Sequence, residues 1–136
     1  MIVVGIIAIL AVIALPLFAN IQSRARIAKA QADTRAIAGM LAAYAIHCGN
    51  LPPSGGTVAG GACNGQGLAA LTVAQVNPLG AAAGPFIAPL PTVPTGWSFT
   101  VEAGVQTYTY VTPAPGLPAG TFQVSSTGDG FTASSP

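Results

Sequence analysis

The first 23 residues contain no ionisable side chain, and apolar residues follow one another there without a polar face. A helix that is hydrophobic on every side must be buried in lipid or in protein. Nineteen residues at the rise of an α-helix span roughly 28 Å, which matches the hydrocarbon thickness of a bilayer. The pattern predicts a membrane-compatible hydrophobic helix over residues 1–23, called the rod below. A cleaved signal peptide is disfavoured, because a basic start and a clear small-residue cleavage site are missing.

One proline, Pro16, stands inside the rod. Proline removes a helical hydrogen bond and its ring clashes with the preceding turn. We therefore expect either a kink or a locally melted stretch around residues 11–16, of which the ordinary proline kink is the simpler interpretation.

From residue 24 the hydrophobic pattern acquires one face. The residues of this face, called the stripe, recur at spacings of seven, three, four and three. They are Ile27, Thr34, Ile37, Leu41 and Tyr44. The nearby charged residues lie largely off the stripe. Residues 24–48 are thus predicted to continue the rod as an amphipathic helix. Gly49, followed by Pro52 and Pro53, is a stop signal. Together the two halves make one helix of roughly 45 residues, about 65 Å long.

The region after the helix, residues 49–136, is called the body. Residues 49–96 read as a loop region, rich in Gly between residues 51 and 67, with a short helix over residues 67–76. Five prolines between residues 77 and 96 predict an irregular extended segment there.

Apolar and polar residues alternate in the last part of the chain, residues 97–136, which is predicted to hold an antiparallel sheet and a tail. Trp97, Phe99 and Val101 fall on one face of a first strand, and a turn follows at residues 102–104. Further strands are predicted over residues 105–111 and 121–126.

Three strands with short connections form an antiparallel meander whose apolar face rests on the helical stripe. The fold class is therefore α+β, with a long N-terminal α-helix packed against a small antiparallel β-sheet. The side chains expected between helix and sheet are Ile27, Ile37, Leu41, Tyr44, Trp97, Phe99, Tyr108 and Phe122.

Charge and motifs exclude several classes of function. The chain of 136 residues is 51% hydrophobic and 5% charged, with a formal net charge of +1. Such a chain lacks the basic field of a nucleic-acid binder, so no specific nucleic acid is expected as a partner. Phosphate-cradling loops, dinucleotide fingerprints and nucleophile elbows are missing, and the three carboxylates are widely separated. The sequence thus predicts a protein that is not an enzyme and has no cofactor.

A weak candidate metal ligand is Asp129, which lies between two glycines. Calcium takes six to eight oxygen ligands, usually from several carboxylates, so a plain turn is the favoured interpretation.

Two cysteines, Cys48 and Cys63, stand at the predicted helix end and in the loop after it. A metal site needs more ligands, and a nucleophile–base pair with the neighbouring His47 lacks the right geometry because adjacent helical residues point in different directions. A disulfide is therefore favoured, and it places the body outside the cytoplasm.

The run from Met1 to Pro16, followed by Arg24, Arg26 and an Ala-rich helix, resembles the N-terminal region of type IV pilins and of type II secretion pseudopilins. Weaker likenesses to the major pseudopilin continue at the end of the helix, over residues 67–71 and over residues 122–130. The N-terminal resemblance covers about 30 residues and is the more specific part.

This resemblance implies a structural subunit of a type IV pilus-like extracellular filament, built by helical packing of N-terminal helices. The alternatives are the major pseudopilin of a type II secretion system and, from another class, a monomeric membrane-anchored binding module. The implied partners are further copies in a homo-polymer, the inner membrane before assembly, and the pilus or secretion assembly machinery. The side chains assigned to the assembly core are Ile2, Val3, Ile6, Ile9, Leu10, Ile13, Pro16 and Phe18.

The implied location is the bacterial inner membrane for the precursor, then the cell surface, or the periplasm for a pseudopilin. Serine and threonine hydroxyls of the nearly neutral body are candidate attachment points for O-glycans.

Mature chains of the family usually begin with Phe-Thr-Leu-Ile-Glu-Leu before a run like Met-Ile-Val-Val. We therefore expect about six residues and a basic leader to precede Met1. Such a leader also reconciles an external body with the basic residues that follow the rod, which alone favour a cytoplasmic body.

Overall fold

A computed structural model describes residues 1–54, 63–113, 116 and 118–136 of the chain, without the side chains of residues 15–17. Residues 55–62 of the expected Gly-rich loop, residues 114, 115 and 117 of the last connection, and the Pro16 side chain assigned to the assembly core lie outside this description.

One helix, α1 (Ile2–Cys48), contains more than a third of the chain. At 1.5 Å per residue its 47 residues extend about 70 Å. It ends where predicted, because Gly49 adopts a left-handed conformation (φ 80°) and its N–H donates to the Ala45 carbonyl at 2.8 Å. The helix continues through Pro16, so the expectation of a locally melted stretch is wrong, and the kink stays a prediction.

The body contains a short 3₁₀ helix and seven strands in the part that the structure describes. The 3₁₀ helix (Gly67–Thr72) occupies the first six residues of the predicted short helix, and its last two residues form a strand. In chain order the strands are β1 (Gln75–Val76), β2 (Ala82–Ala83), β3 (Thr100–Glu102), β4 (Val105–Thr107), β5 (Thr109–Val111), β6 (Gln123–Gly128) and β7 (Phe131–Ser135).

These strands form three small antiparallel sheets, which confirms the α+β class. β1 pairs with β2, β3 pairs with β4, and a third sheet has the order β5-β6-β7. The prediction of one three-stranded meander is therefore wrong, because the predicted strands belong to two different sheets. β7 was not predicted, and the second predicted strand divides at Tyr108, with its halves pairing in different sheets.

The division at Tyr108 follows from burial of its ring. Tyr108 is fully buried, and its hydroxyl donates to Asp33 Oδ2 on α1 at 2.8 Å. The Tyr108 carbonyl accepts a hydrogen bond from the Thr100 hydroxyl, and the preceding side chain is also fixed, because the Thr107 hydroxyl donates to the Pro91 carbonyl. A ring directed at the helix thus separates β4 from β5.

The first predicted strand also differs from the observed one. β3 begins only at Thr100, so Trp97 and Phe99 do not share a strand face. Trp97 is buried in the turn before the strand, whereas Phe99 is 47% exposed. The assignment of Phe99 to the helix–sheet interface is therefore wrong.

The core lies between the second half of α1, the 3₁₀ helix and the sheet β5-β6-β7. The predicted packing residues Ile37, Leu41, Tyr44, Trp97 and Tyr108 are buried there, and Ile27 and Phe122 pack against it while partly exposed. The 3₁₀ helix adds Leu68 and Leu71, both fully buried. Burial of these apolar side chains supplies the main stabilisation of the body.

Candidate functional site

The rod projects from the body with its apolar side chains uncovered. Every large apolar side chain described there is more than half exposed, and no described hydrophobic residue before Ile27 belongs to the core or packs on it. Ile9, near the middle of the rod, is 65% exposed. The described side chains assigned to the assembly core all fall in this exposed set: Ile2, Val3, Ile6, Ile9, Leu10, Ile13 and Phe18.

The apolar part of α1 is long and hydrophobic enough to cross a membrane. Its most apolar 18-residue window has a mean hydropathy of 3.0, and none of that window is buried against the rest of the chain. Such a surface is incompatible with prolonged exposure to water, since isolated soluble proteins expose apolar patches of only a few hundred Å². The rod is therefore the part of the molecule that requires an external partner, either lipid or protein.

A polar clamp fixes the body where the rod ends. Arg26 on α1 donates to Asp129 through Nε to Oδ2 at 2.7 Å and through a terminal nitrogen to Oδ1 at 2.9 Å. The Trp97 indole N–H donates to the same Oδ2 at 2.9 Å. Because a bidentate arginine–carboxylate pair has a defined geometry, these three side chains set the position of the sheet along the helix.

A second polar contact lies one to two turns further along α1, at Lys29 and Asp33. Asp33 accepts hydrogen bonds from the Lys29 ammonium at 2.7 Å and from the Tyr108 hydroxyl at 2.8 Å, and Lys29 also donates to the Thr92 carbonyl. Burial, followed by the contact with Asp33, raises the pKa of Tyr108. The charged band that follows the rod thus joins helix to body.

Asp129 occupies the loop of a two-residue hairpin. Gly128 pairs with Phe131, and Asp129 (φ 51°) and Gly130 (φ 72°) both have positive φ, as in a type I′ turn. Both carboxylate oxygens accept hydrogen bonds from Arg26. No group of three or more potential metal-ligating side chains occurs among the residues described. The geometry assigns Asp129 to the clamp and to the turn that the sequence favoured.

The clamp gives a pH-dependent contribution to stability. The hydrogen bonds from Arg26 and then from Trp97 lower the pKa of Asp129 from 3.8 to about 2. A carboxyl whose pKa is lower in the folded state stabilises the fold above its unfolded pKa, and that contribution is lost as the pH falls through the folded value. We expect the urea midpoint of the full chain in detergent micelles, followed by Trp97 fluorescence, to fall between pH 4 and pH 2.

The control for this prediction is Asp129→Asn, which keeps an acceptor for Trp97 but does not titrate. The wild-type fall in midpoint below pH 4 should be reduced in this variant. Burial raises the pKa of Glu102 above 4.5, so its protonation stabilises the fold as the pH decreases toward that value. Glu102→Gln should therefore change the profile above pH 4 and leave the acidic fall intact. An identical acidic fall in Asp129→Asn contradicts the assignment.

Close packing at the clamp predicts a steric effect at Gly128. A Cβ added to Gly128 would overlap the ring of Trp97, which is 4% exposed and has little room to move. We expect Gly128→Ala to lower the free energy of unfolding by about 1–3 kcal/mol, as overpacked cores do. A chemically matched control is Gly39→Ala, since a Cβ at Gly39 meets nothing within 4 Å and alanine is the better helix former. Denaturant titration should show that Gly128→Ala lowers the free energy of unfolding and that Gly39→Ala raises it.

At the other end of α1, Cys48 and Cys63 form the predicted disulfide, with their Cα atoms 5.8 Å apart. His47 does not act on a free thiol, because both cysteines are paired; its Nε2 lies 3.2 Å from the Gln75 carbonyl and its ring lies against Phe86. The pair ties the helix end to the start of the body.

Glu102 has a role that the sequence reasoning missed. Its Oε2 accepts the Ala69 N–H at 2.9 Å, and a Cβ on Gly67 would overlap its carboxylate. The carboxylate thus holds the start of the 3₁₀ helix, beside an open cavity of about 350 Å³. The only sign of this role in the sequence was that Glu102 is an isolated charge in a body almost without charge.

Comparison of the chain with models of protein families, with curated proteins and with solved structures gives no match.

Proposed function

We propose that this protein is a structural subunit of a type IV pilus-like extracellular filament, in which the rods of successive copies pack together. The observation that carries the proposal is the rod itself: an apolar helix that leaves the body at Arg26 with every described large apolar side chain more than half exposed. In the precursor, bilayer lipid covers these side chains. In the filament, the rods of neighbouring copies cover them.

The outer face of the second half of α1 supports the same arrangement. The residues opposite the buried stripe are small and exposed, and they recur every three or four positions: Ala25, Ala28, Ala32, Ala36 and Gly39. Small side chains let helices approach closely. Together with the rod, this face gives α1 a continuous surface on which another helix can pack.

The body supports a structural role rather than a catalytic one. Its carboxylates Glu102 and Asp129 hold backbone and side-chain contacts within the chain, and the sulfurs of Cys48 and Cys63 are bonded to each other. With few charges to desolvate, a nearly neutral surface can be placed beside identical copies at low electrostatic cost.

Imaging of native material tests the proposal. Electron microscopy of material sheared from cells should show long filaments whose subunit is this chain. Short periplasmic filaments that depend on a secretion system support the major pseudopilin instead. If the chain stays in the membrane fraction as a monomer, the membrane-anchored binding module replaces both filament proposals.

A further inference from the structure

The groove between α1 and the last strand has features of a peptide-binding site. It encloses about 210 Å³ and is lined by Gln31, Thr34 and Arg35 on the helix and by residues 131–134 of β7. β7 is an edge strand, because the sheet has the order β5-β6-β7. A backbone edge and a cation therefore border the same groove.

The register of the hairpin shows which backbone groups face outward. Gly128 and Phe131 close the two-residue turn, so their pair is hydrogen-bonded and the next pair, Thr127 and Thr132, is not. Consistently, the N–H and C=O of Thr127 bond to Ser98 on the side away from β7. The backbone groups of Thr132, and by the same alternation those of Ser134, thus point away from β6 toward the free edge.

Arg35 supplies an unused positive charge beside that edge. It is exposed, and no described residue forms a hydrogen bond or ion pair with its guanidinium, whereas Arg26 and Lys29 are paired with Asp129 and Asp33. The chain has three carboxylate side chains, and all accept hydrogen bonds within the body or from α1. In a second copy each of these carboxylates is already engaged within its own chain, so a segment with an unpaired carboxylate is the better partner for Arg35.

We infer that this groove binds an extended segment of a different protein, which adds a strand to β7 and places a carboxylate on Arg35. Two residues of such a segment pair with the outward N–H and C=O groups of Thr132 and Ser134, which are about 7 Å apart along the strand. Backbone pairing supplies affinity and the carboxylate supplies selectivity, as in other cases of strand addition. The site lies in the body, so it requires no filament.

Peptide titration of the full chain in zwitterionic detergent micelles tests the inference. The probe is acetyl-Val-Thr-Glu-Thr-Val-amide, and its matched control has Gln in place of Glu. We expect the amide resonances of Thr132 and Ser134 to shift with the Glu peptide. Binding should weaken about fivefold to tenfold for the Gln peptide and for Arg35→Gln, since a charge-assisted hydrogen bond is lost. Arg24→Gln, which removes an arginine outside the groove, should bind as the wild type does.

A second variant tests the strand edge separately. Ser134→Pro removes an N–H that makes no bond to β6, so the sheet should remain, as checked by Trp97 fluorescence, while peptide binding is lost. If the Glu peptide causes no shift at Thr132 and Ser134, or if Arg35→Gln binds equally well, the inference is overturned. Shifts that follow protein concentration instead of peptide concentration also overturn it, because a second copy then occupies the edge. Each result is independent of whether filaments form.

Discussion

Replacement of Ile9 by aspartate is expected to abolish filament assembly. Ile9 lies near the middle of the rod and is 65% exposed, so in a filament of packed rods its side chain is covered by neighbouring copies. A carboxylate there loses its hydration and faces further apolar side chains, and at the centre of a membrane helix an aspartate costs about 2.5–3.5 kcal/mol on insertion scales. Because each copy carries the substitution, the cost recurs at every contact. The measurement is filament yield by electron microscopy after shearing.

Two further variants test whether a loss of filaments arises from disrupted packing of the rods or from another effect of the added charge. Leu79→Asp places the same charge on a side chain that is 92% exposed in the body, and it should leave filament yield unchanged. Gly5→Leu stays apolar and enters lipid readily, yet it fills a position where a Cβ meets nothing within 4 Å in the single chain. If rods pack closely, Gly5→Leu reduces yield while the protein still reaches the membrane. Normal yields for both Ile9→Asp and Gly5→Leu contradict a packed-rod filament.

Removal of the disulfide is expected to cause the largest loss of stability. Cys48 and Cys63 are 15 residues apart, and closing a loop of that length stabilises a fold by about 3 kcal/mol in the chain-entropy description. Both cysteines are buried, so alanine is a better replacement than serine, whose hydroxyl would need a partner. The double variant Cys48→Ala, Cys63→Ala should unfold at a clearly lower guanidinium concentration when followed by Trp97 fluorescence.

Reduction of the unmodified protein is the matched control, and it should lower the midpoint to about the same value. Thiol labelling of the unreduced protein should detect no free cysteine, since both are paired. If the double variant keeps the wild-type midpoint, the disulfide does not stabilise the fold.

The elements that sequence reasoning predicted well are those decided by neighbouring residues. The rod is a continuous apolar run, and the stop of α1 requires only the left-handed conformation of Gly49. The disulfide between Cys48 and Cys63 was also local enough to predict from spacing. Each of these depends on a short stretch of chain, in which the physical cause is visible in the residues themselves.

The errors arose where distant contacts decide the structure. Trp97 leaves the strand pattern because its indole N–H reaches Asp129, and β4 ends because Tyr108 turns toward Asp33, 75 residues earlier. β7 was missed because its residues, Phe-Thr-Ala-Ser-Ser, lack strong apolar alternation and pair through their backbone. In sequence these contacts leave no periodic signal.

Only part of the candidate site could be predicted from the sequence. The exposed apolar side chains of the rod follow directly from composition, and the residues named for assembly are exposed wherever the structure describes them. The Arg26–Asp129 clamp joins positions 103 residues apart, so an isolated Asp between two glycines suggested only a turn or a weak metal ligand. The outward groups of β7 depend on a hairpin register that the sequence reasoning did not assign.

Contacts of different strength hold the body on α1 over the whole length between Arg26 and Cys48. The covalent link is at Cys48, and the Arg26–Asp129 ion pair is 22 residues closer to the rod, about 33 Å along the helix. When tension pulls the rod away from the body, the ion pair bears the load first and the disulfide bears it last. Mechanical detachment therefore starts at the clamp and proceeds toward Cys48, and a subunit that has yielded at its base remains tethered and able to close again.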